Sequence, residues 1–399
     1  MERKRILYLS GSLGLGHIIR DLAIAAELRR QNPEIEISWL AAHPASQVIE
    51  DSGEHLLPEA AQYANDNIPA EKAAKGSHLN LLKYLLSARK DWARNVEIFK
   101  QVTEREQFDL VIGDETYEIV VGMQRDSSLK KAPFVMIYDF IGLDAMTGNP
   151  WEKLGIYVWN RIWSNDFKNK RDPVFDLALF VGEEEDVPDR NFGFLLPNRR
   201  EWAKALCRFI GYILPFNPLD YAEKVEVRKK LGYGQEPLVI CSIGGTSVGR
   251  ELLTLCAKTY PIIKEHKPDL RMVLVCGPRL SPETLEVPQG VEVRKYVPDL
   301  FEHFAAADLA IVQGGATSTL ELSALGRPFL YFPLEGHFEQ ANVADRLSRH
   351  KAGIKMRFSQ TSPASLAEKI LSHLGKEVRY APIPLDGAQK AAQLTNQLF

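Results

Sequence analysis

Cysteine is scarce in this chain, and long apolar runs are missing. Four cysteines stand at 207, 241, 256 and 276 with no CxxC pair, which argues against a disulfide framework or a zinc site and for reduced, buried thiols in a cytoplasmic protein. No apolar stretch approaches the ~20 residues of a membrane-spanning helix. The first apolar run, Ile6–Leu9, is shorter than the core of a signal peptide, so a cytoplasmic protein, soluble or at most peripheral on a membrane, is expected. An excess of one charge is also lacking: 49 Lys and Arg face 52 Asp and Glu, for a formal net charge of −3. A chain built to hold nucleic-acid backbones would be basic, so no nucleic-acid partner is expected.

What is present is an ordinary globular composition, 45% hydrophobic and 25% charged over 399 residues, long enough for two domains with independent cores. Arg5–Ser10 reads as a buried strand, Gly11–Gly16 as a glycine loop, His17–Arg30 as a helix and Ile35–Ala41 as the next strand. Residues 71–107 read as helical. Phe108–Gly113, Ala132–Tyr138 and Leu177–Val181 read as strands, the first two followed by Asp114 and Asp139. The aromatic stretch Trp151–Trp163 reads as core or lid packing. After the proline-marked stretch Tyr212–Leu219 the plan restarts: strand Pro237–Ser242, glycine loop Ile243–Gly249, helix Arg250–Glu265, then strands Arg271–Cys276, Val291–Tyr296, Leu309–Val312 and Pro328–Phe332. Strands alternating with helices predict two Rossmann-like, doubly wound α/β domains, residues 1–213 and 214–399, with Ala388–Phe399 a short helix able to pack back on the first.

Three motifs carry chemistry. In GSLGLGH, Gly14 and Gly16 let the backbone turn tightly into a helix whose N–H groups suit an anion. Its third fingerprint position is Ile19, and no acidic residue ends the second strand, so NAD is set aside. His17 stands at the carboxyl edge of the first strand and Asp114 at the end of another on the same edge. Such a pair makes a general base, whereas two plain helix caps are the simpler alternative. In Gln313–Pro328, Gly314 and Gly315 turn into a helix start bearing Thr317, Ser318 and Thr319, a phosphate cradle without a Walker lysine, with Glu321 one turn on and in reach of a ribose diol. In Pro333–Asn342, Glu339 and Gln340 stand side by side, a pair suited to sugar hydroxyls.

Together these pieces resemble the GT-B glycosyltransferases, above all the UDP-glycosyltransferases of family 1 and the related family 28. The likeness is strongest over Tyr296–Asn342. The family's aromatic–x–Pro–Gln segment at the nucleoside is here Tyr296-Val297-Pro298-Asp299. Its His–x–Gly–x–Asn–Ser–x–x–Glu segment at the diphosphate and ribose runs here from Gln313 through Gly315, Thr317, Ser318 and Thr319 to Glu321, with Gln313 for the histidine and Thr317 for the asparagine. Gly326-Arg327-Pro328 matches Gly–x–Pro, and Glu339-Gln340 matches the Asp–Gln pair at the donor sugar. Ile243-Gly244-Gly245-Thr246 is similar to the family's second-domain phosphate loop, and His17 with Asp114 to its base pair. No two aspartates stand at i and i+2, so the DxD metal motif of the other large glycosyltransferase fold is missing and no metal or other cofactor is expected.

The resemblance implies inverting transfer of a sugar from a UDP-linked or related nucleotide sugar to an acceptor hydroxyl, with His17 as base oriented by Asp114 and two domains closing on a cleft. The alternative on the same fold is a nucleotide-sugar hydrolase, because Gly16–Arg20 (GHIIR) resembles the loop of a UDP-sugar hydrolase of pseudaminic acid biosynthesis, where the histidine activates water. A sugar-nucleotide epimerase and a non-catalytic sugar-nucleotide binding protein are further readings.

Overall fold

The computed structural model describes residues 3–11, 15–64, 74–75, 78–79, 81–165, 173–244, 249–334 and 337–399, with the backbone alone for 74–89. The chain forms two compact units. The first takes in Met1–Lys75, Leu79–Pro215 and Pro384–Phe399, and the second Phe216–Ile383 together with the short segment Gly76–His78.

In chain order the first unit contains β1 (Lys4–Leu9), α1 (Gly16–Gln31), β2 (Ile35–Leu40), α2 (Ala45–Asp51), β3 (His55–Leu56), β4 (Ala74–Lys75), β5 (His78–Leu79), α3 (Leu81–Arg105), β6 (Leu110–Asp114), α4 (Tyr117–Arg125), β7 (Phe134–Tyr138), α5 (Pro150–Trp163), β8 (Leu177–Val181), α6 (Arg199–Leu206) and β9 (Cys207–Gly211). Seven strands make a parallel sheet in the order β3-β2-β1-β6-β7-β8-β9, and β4 with β5 forms a separate small sheet. Parallel strands covered on both faces read as unbroken apolar runs. Ile6–Leu9 and Phe134–Tyr138 are buried throughout. Alternate residues feed two cores: Leu7, Leu9, Phe134 and Met136 meet Ile119 and Met123 of α4, while Ile6, Tyr8, Val135 and Ile137 meet Ile18, Ile24 and Leu28 of α1.

The second unit contains α7 (Lys224–Leu231), β10 (Leu238–Ser242), α8 (Arg250–His266), β11 (Arg271–Val275), β12 (Val291–Arg294), α9 (Leu300–Ala306), β13 (Leu309–Val312), α10 (Ala316–Ala324), β14 (Phe329–Tyr331), α11 (Phe338–Arg349), β15 (Ile354–Lys355) and α12 (Pro363–His373). Its six strands are parallel in the order β12-β11-β10-β13-β14-β15. Both large sheets are thus doubly wound.

The last helix, α13 (Gly387–Thr395), belongs to the first unit. It packs on α1, with Ala391 and Ala392 in the same core as Ile24, Ala25 and Leu28. The returning backbone is tied to the end of β9 by Tyr212 N–H to Pro384 O at 2.8 Å and Gly387 N–H to Tyr212 O at 3.1 Å. A Cβ on Gly387 would stand 2.6 Å from the Tyr212 oxygen, so only glycine allows the approach.

Two expectations need correction. Residues 71–107 are not one helix: within the described part the helix begins at Leu81, after the strand pair β4 and β5. Gly76 and Ser77, which follow Lys75 in the sequence, are poor helix formers. The aromatic stretch is core packing only in part. Trp163 packs on Tyr117 and Tyr138, and Trp159 meets Trp92 edge-on at 5.3 Å, but Trp151 is 71% exposed. Among the described residues no helix is long and apolar enough to cross a membrane.

Candidate functional site

In the first unit the site forms where strand order reverses, between β1 and β6. Leu9 pairs with Gly113 and Asp114 with Ile137, so the ends of β1, β6 and β7 lie side by side. Chain turning off these ends delivers His17 on the first turn of α1, Asp114 as the last residue of β6 and Asp139 just after β7. His17 and Asp114 come together as expected, Nδ1 to Oδ2 at 3.3 Å, with Asp114 fully buried. Gly16 is the first residue of α1, and Gly14 lies outside the described residues.

Arg20, one turn on from His17, is the residue that sequence reasoning missed. Its guanidinium engages both oxygens of Asp114, through Nε at 2.7 Å and through Nη2. Its Nη1 meets Asp139 Oδ2 at 2.6 Å, and Nη2 lies 2.8 Å from His17 Nδ1. Two more carboxyl groups crowd in. Asp21 accepts from Tyr8 Oη at 3.0 Å and Ser10 Oγ at 2.6 Å. Glu115, in the left-handed region at φ 56°, accepts from Tyr117 Oη at 2.9 Å and Asp139 N at 3.2 Å. The sequence signals were a basic residue one turn after the glycine loop and a second strand ending in Asp.

The pKa values divide accordingly. Burial alone would raise Asp114, but the Arg20 and then the His17 charge outweigh it and hold Asp114 well below the usual carboxylate range. Asp139 is lowered against its burial by the same two cations. Burial and the charge of Asp114 push Asp21 well up, and burial with Asp139 does the same to Glu115. The two carboxyl groups in contact with the Arg20 guanidinium are thus shifted toward the ionised form, and the two outside its hydrogen-bond reach toward the protonated form. For His17, burial and Arg20 push down, Asp114 and Asp139 push up, and the net direction is up. The arrangement can stabilise an imidazolium.

In the second unit the corresponding reversal lies between β10 and β13, and the glycine loops follow these strands. Gln313 ends β13. It is buried, and among the described residues its Nε2 has no hydrogen-bond partner. It lies against Gly249, the residue before α8, which sits at φ 104° and whose Cβ would collide with the Gln313 amide. Gly315 precedes α10. Gln313 thus lies beside the starts of two helices, whose first N–H groups lack intrahelical acceptors. Gly244 is at φ 81° on the β10 loop, and Gly245 and Thr246 lie outside the described residues.

Thr317 and Ser318 stand on the first turn of α10, partly exposed. Thr319 does not join them: it is fully buried, and its hydroxyl donates to Gly315 O at 2.8 Å. Glu321 is buried, and burial with the charge of Asp299 raises its pKa to about 8. Asp299, at φ 48°, begins α9, so the loop carrying Tyr296, Val297 and Asp299 faces α10. Tyr296 is half exposed, and Val297 packs on the core of the second unit. Gln340, on the first turn of α11, accepts at Oε1 from Leu334 N at 2.7 Å and so shapes its own loop, with the partly buried Glu339 beside it. Among the described residues, no group of three or more His, Cys, Asp and Glu is placed to hold a metal ion.

Comparison with known proteins fits this architecture. Residues 239–397 match the glycosyltransferase family 28 C-terminal domain. An uncharacterized glycosyltransferase of Methanosarcina mazei is 30% identical over 141 residues, 34% of this chain and 35% of that one. The UDP-N-acetylglucosamine–N-acetylmuramyl-(pentapeptide) pyrophosphoryl-undecaprenol N-acetylglucosamine transferase of Carboxydothermus hydrogenoformans is 28% identical over 156 residues, 38% of this chain and 42% of that one. The chain spans about a third to a half of the length of the curated relatives it matches. The crystal structure of the glycotransferase of kitacinnamycin covers 100% of both chains at a TM-score of 0.63 and 18% identity, which shows the same fold. This chain has the GT-B fold, and its residues 239–397 match the glycosyltransferase family 28 C-terminal domain.

Proposed function

We propose that the chain is an inverting glycosyltransferase that moves a sugar from a UDP-linked nucleotide sugar to an acceptor hydroxyl. The observation that carries this reading is the buried, unpartnered Gln313 amide beside the starts of α8 and α10. A buried donor without an acceptor costs about 1–3 kcal/mol, and an anion at those helix ends would satisfy it. In this reading the diphosphate lies on Gln313, Gly315, Thr317, Ser318 and the loop of Gly244, Gly245 and Thr246. The base lies against Tyr296 and Val297, near Asp299. Glu321 takes the ribose diol, and Glu339 and Gln340 take the donor sugar. UDP is favoured because the bacterial relative is named for a UDP-linked donor.

In the first unit His17 takes the acceptor proton and Asp114 stabilises the imidazolium. The acceptor oxygen bonds to the anomeric carbon as the carbon–oxygen bond to the diphosphate breaks, which inverts that centre. Helix ends and neutral donors receive the leaving charge, without a metal ion.

Calorimetric titration with UDP, dTDP and GDP, followed by incubation of the matching sugar nucleotide with a panel of hydroxyl acceptors, tests the reading. UDP is expected to bind. Gln313→Ala should weaken it about tenfold or more, a charged hydrogen bond being worth ~1.5–3 kcal/mol. His17→Ala should leave binding intact and lower transfer about 10²–10⁴-fold. No binding by any of the three would sink the donor site, and fast acceptor-free sugar release lost in His17→Ala would replace transfer by hydrolysis.

Glu321 adds a pH dependence. A diol donates to a carboxylate, so binding requires the ionised form. Below about 8 the free protein holds that group protonated, and ionising it costs ~1.4 kcal/mol per pH unit. UDP affinity should therefore rise with pH, up to about tenfold per unit, and level off above about 8. Titration calorimetry across this range should show the rise, and Glu321→Gln should flatten it. A wild-type curve parallel to that of the variant would remove Glu321 from the ribose.

Peripheral membrane contact belongs to the same reading. Trp151, Leu154, Val158 and Ile162, spaced three and then four apart on α5, make an exposed apolar stripe. Phe194 and Leu195 are exposed as well, and the Phe194 carbonyl accepts from Tyr157 of α5 at 3.3 Å. The exposed charges of α5, Lys153 and Arg161, are both cationic, while Glu152 is turned inward to accept from Met146 N at 3.0 Å. An apolar stripe with basic flanks fits an anionic bilayer. Co-sedimentation should show binding to vesicles containing phosphatidylglycerol and little to neutral ones, with several-fold loss in Trp151→Ser/Leu154→Ser. Equal recovery from both vesicle types and with both proteins, or a dimer that the double substitution dissolves, would overturn it.

A further inference from the structure

Arg20 stands where His17 would be expected to meet its orienting carboxylate alone. Arg20 Nη2 lies 2.8 Å from His17 Nδ1, and Asp114 Oδ2 lies 3.3 Å from the same nitrogen. A guanidinium only donates. Its 2.8 Å contact is therefore a hydrogen bond only when Nδ1 carries no proton, and an unprotonated nitrogen has nothing to donate to Asp114. The two contacts of Nδ1 exclude each other, and the shorter belongs to Arg20.

The surroundings fix Arg20 in place. From β6 and its end, Asp114 and Glu115 face this pocket. Asp139 faces it from the end of β7, and Asp21 follows Arg20 on α1. Among these neighbours of His17 Arg20 is the cation, held by Asp114 and by Asp139 at 2.6 Å, with 11% of its side chain exposed.

We infer that Arg20 is a positioning residue that competes with Asp114 for His17 Nδ1, so that the resting neutral ring carries its proton on Nε2. In that tautomer Nε2 is a donor, and the ring's basic nitrogen is covered by a cation. His17 gains the ability to accept a proton at Nε2 only in the other neutral tautomer, in which the Nε2 proton has gone to solvent, Nδ1 has taken one up and donates it as a hydrogen bond to Asp114, and Arg20 has given up its contact with Nδ1. The inference rests on the proposed role of His17 as base and adds the control on it: the base is held off until the Arg20 contact is broken.

Nitrogen-15 spectroscopy of the full chain with labelled histidines tests this, above the pH at which the ring titrates. The His17 signals are identified as those lost in His17→Gln. The expected result is a wild-type ring protonated at Nε2 and hydrogen-bonded at an unprotonated Nδ1. In Arg20→Met, which keeps side-chain bulk and removes the donor, the proton should move to Nδ1. A wild-type ring protonated at Nδ1 overturns the inference, even where the variant does not fold. The same tautomer in the wild type and a folded Arg20→Met also overturns it. The spectrum needs no substrate, so a failure of the transfer reading leaves this result standing and the reverse is equally visible.

Discussion

Each site depends on the reversal of strand order within a parallel sheet. Where the order reverses, the connections from two adjacent strands leave toward opposite faces, and the carboxyl ends between them stay uncovered. In the first unit α1 covers one face and α4 the other, as their separate cores show. In the second unit α8 and α10 likewise belong to opposite cores. His17, Arg20, Asp114 and Asp139 gather at one reversal, and Gly244, Gly249, Gln313 and Gly315 at the other. The sheets themselves are apolar in every central strand, so polar chemistry is confined to these ends.

The two reversals hold opposite electrostatics. Around Arg20 four carboxyl groups compete for one guanidinium, and direct contact with it separates Asp114 and Asp139, whose pKa values are lowered, from Asp21 and Glu115, whose values are raised. Such a site responds to any change in the position of Arg20, because two carboxyl groups and an imidazole contact it. The second unit gathers neutral donors: an amide, hydroxyls and unpaired backbone N–H groups at helix starts. Among the described residues its buried carboxyl group is Glu321, whose pKa burial and the charge of Asp299 raise to about 8.

How much of this was legible follows from the period of each feature. Leu177–Val181 and Leu309–Val312 read with the same bounds in sequence and structure, because a strand buried on both faces is one apolar run. The edge strands β9 and β15 carry Arg208 and Lys355 in exposed positions and give no such run. His17 and Asp114 were legible as strand-end residues. Arg20 was not, since an arginine on a helix ordinarily faces solvent, and its partners lie 94 and 119 residues away. Thr317, Ser318 and Thr319 look like three equivalent hydroxyls. Successive helical residues point about 100° apart, however, and the third turns inward to its own backbone.

The Gln313 position shows how a single exchange redistributes the work of a site. The related family carries a histidine there, which can be charged. An amide supplies one directed donor and no net charge, so the attraction for an anion has to come from backbone N–H groups. Gly249 lacks a Cβ where the amide lies, and its φ of 104° is one that side chains rarely adopt, so the backbone before α8 approaches Gln313 as closely as packing allows. A neutral amide also has no titration of its own near neutral pH. In the proposed donor site, any pH dependence toward a nucleotide would then reflect Glu321 and the ligand.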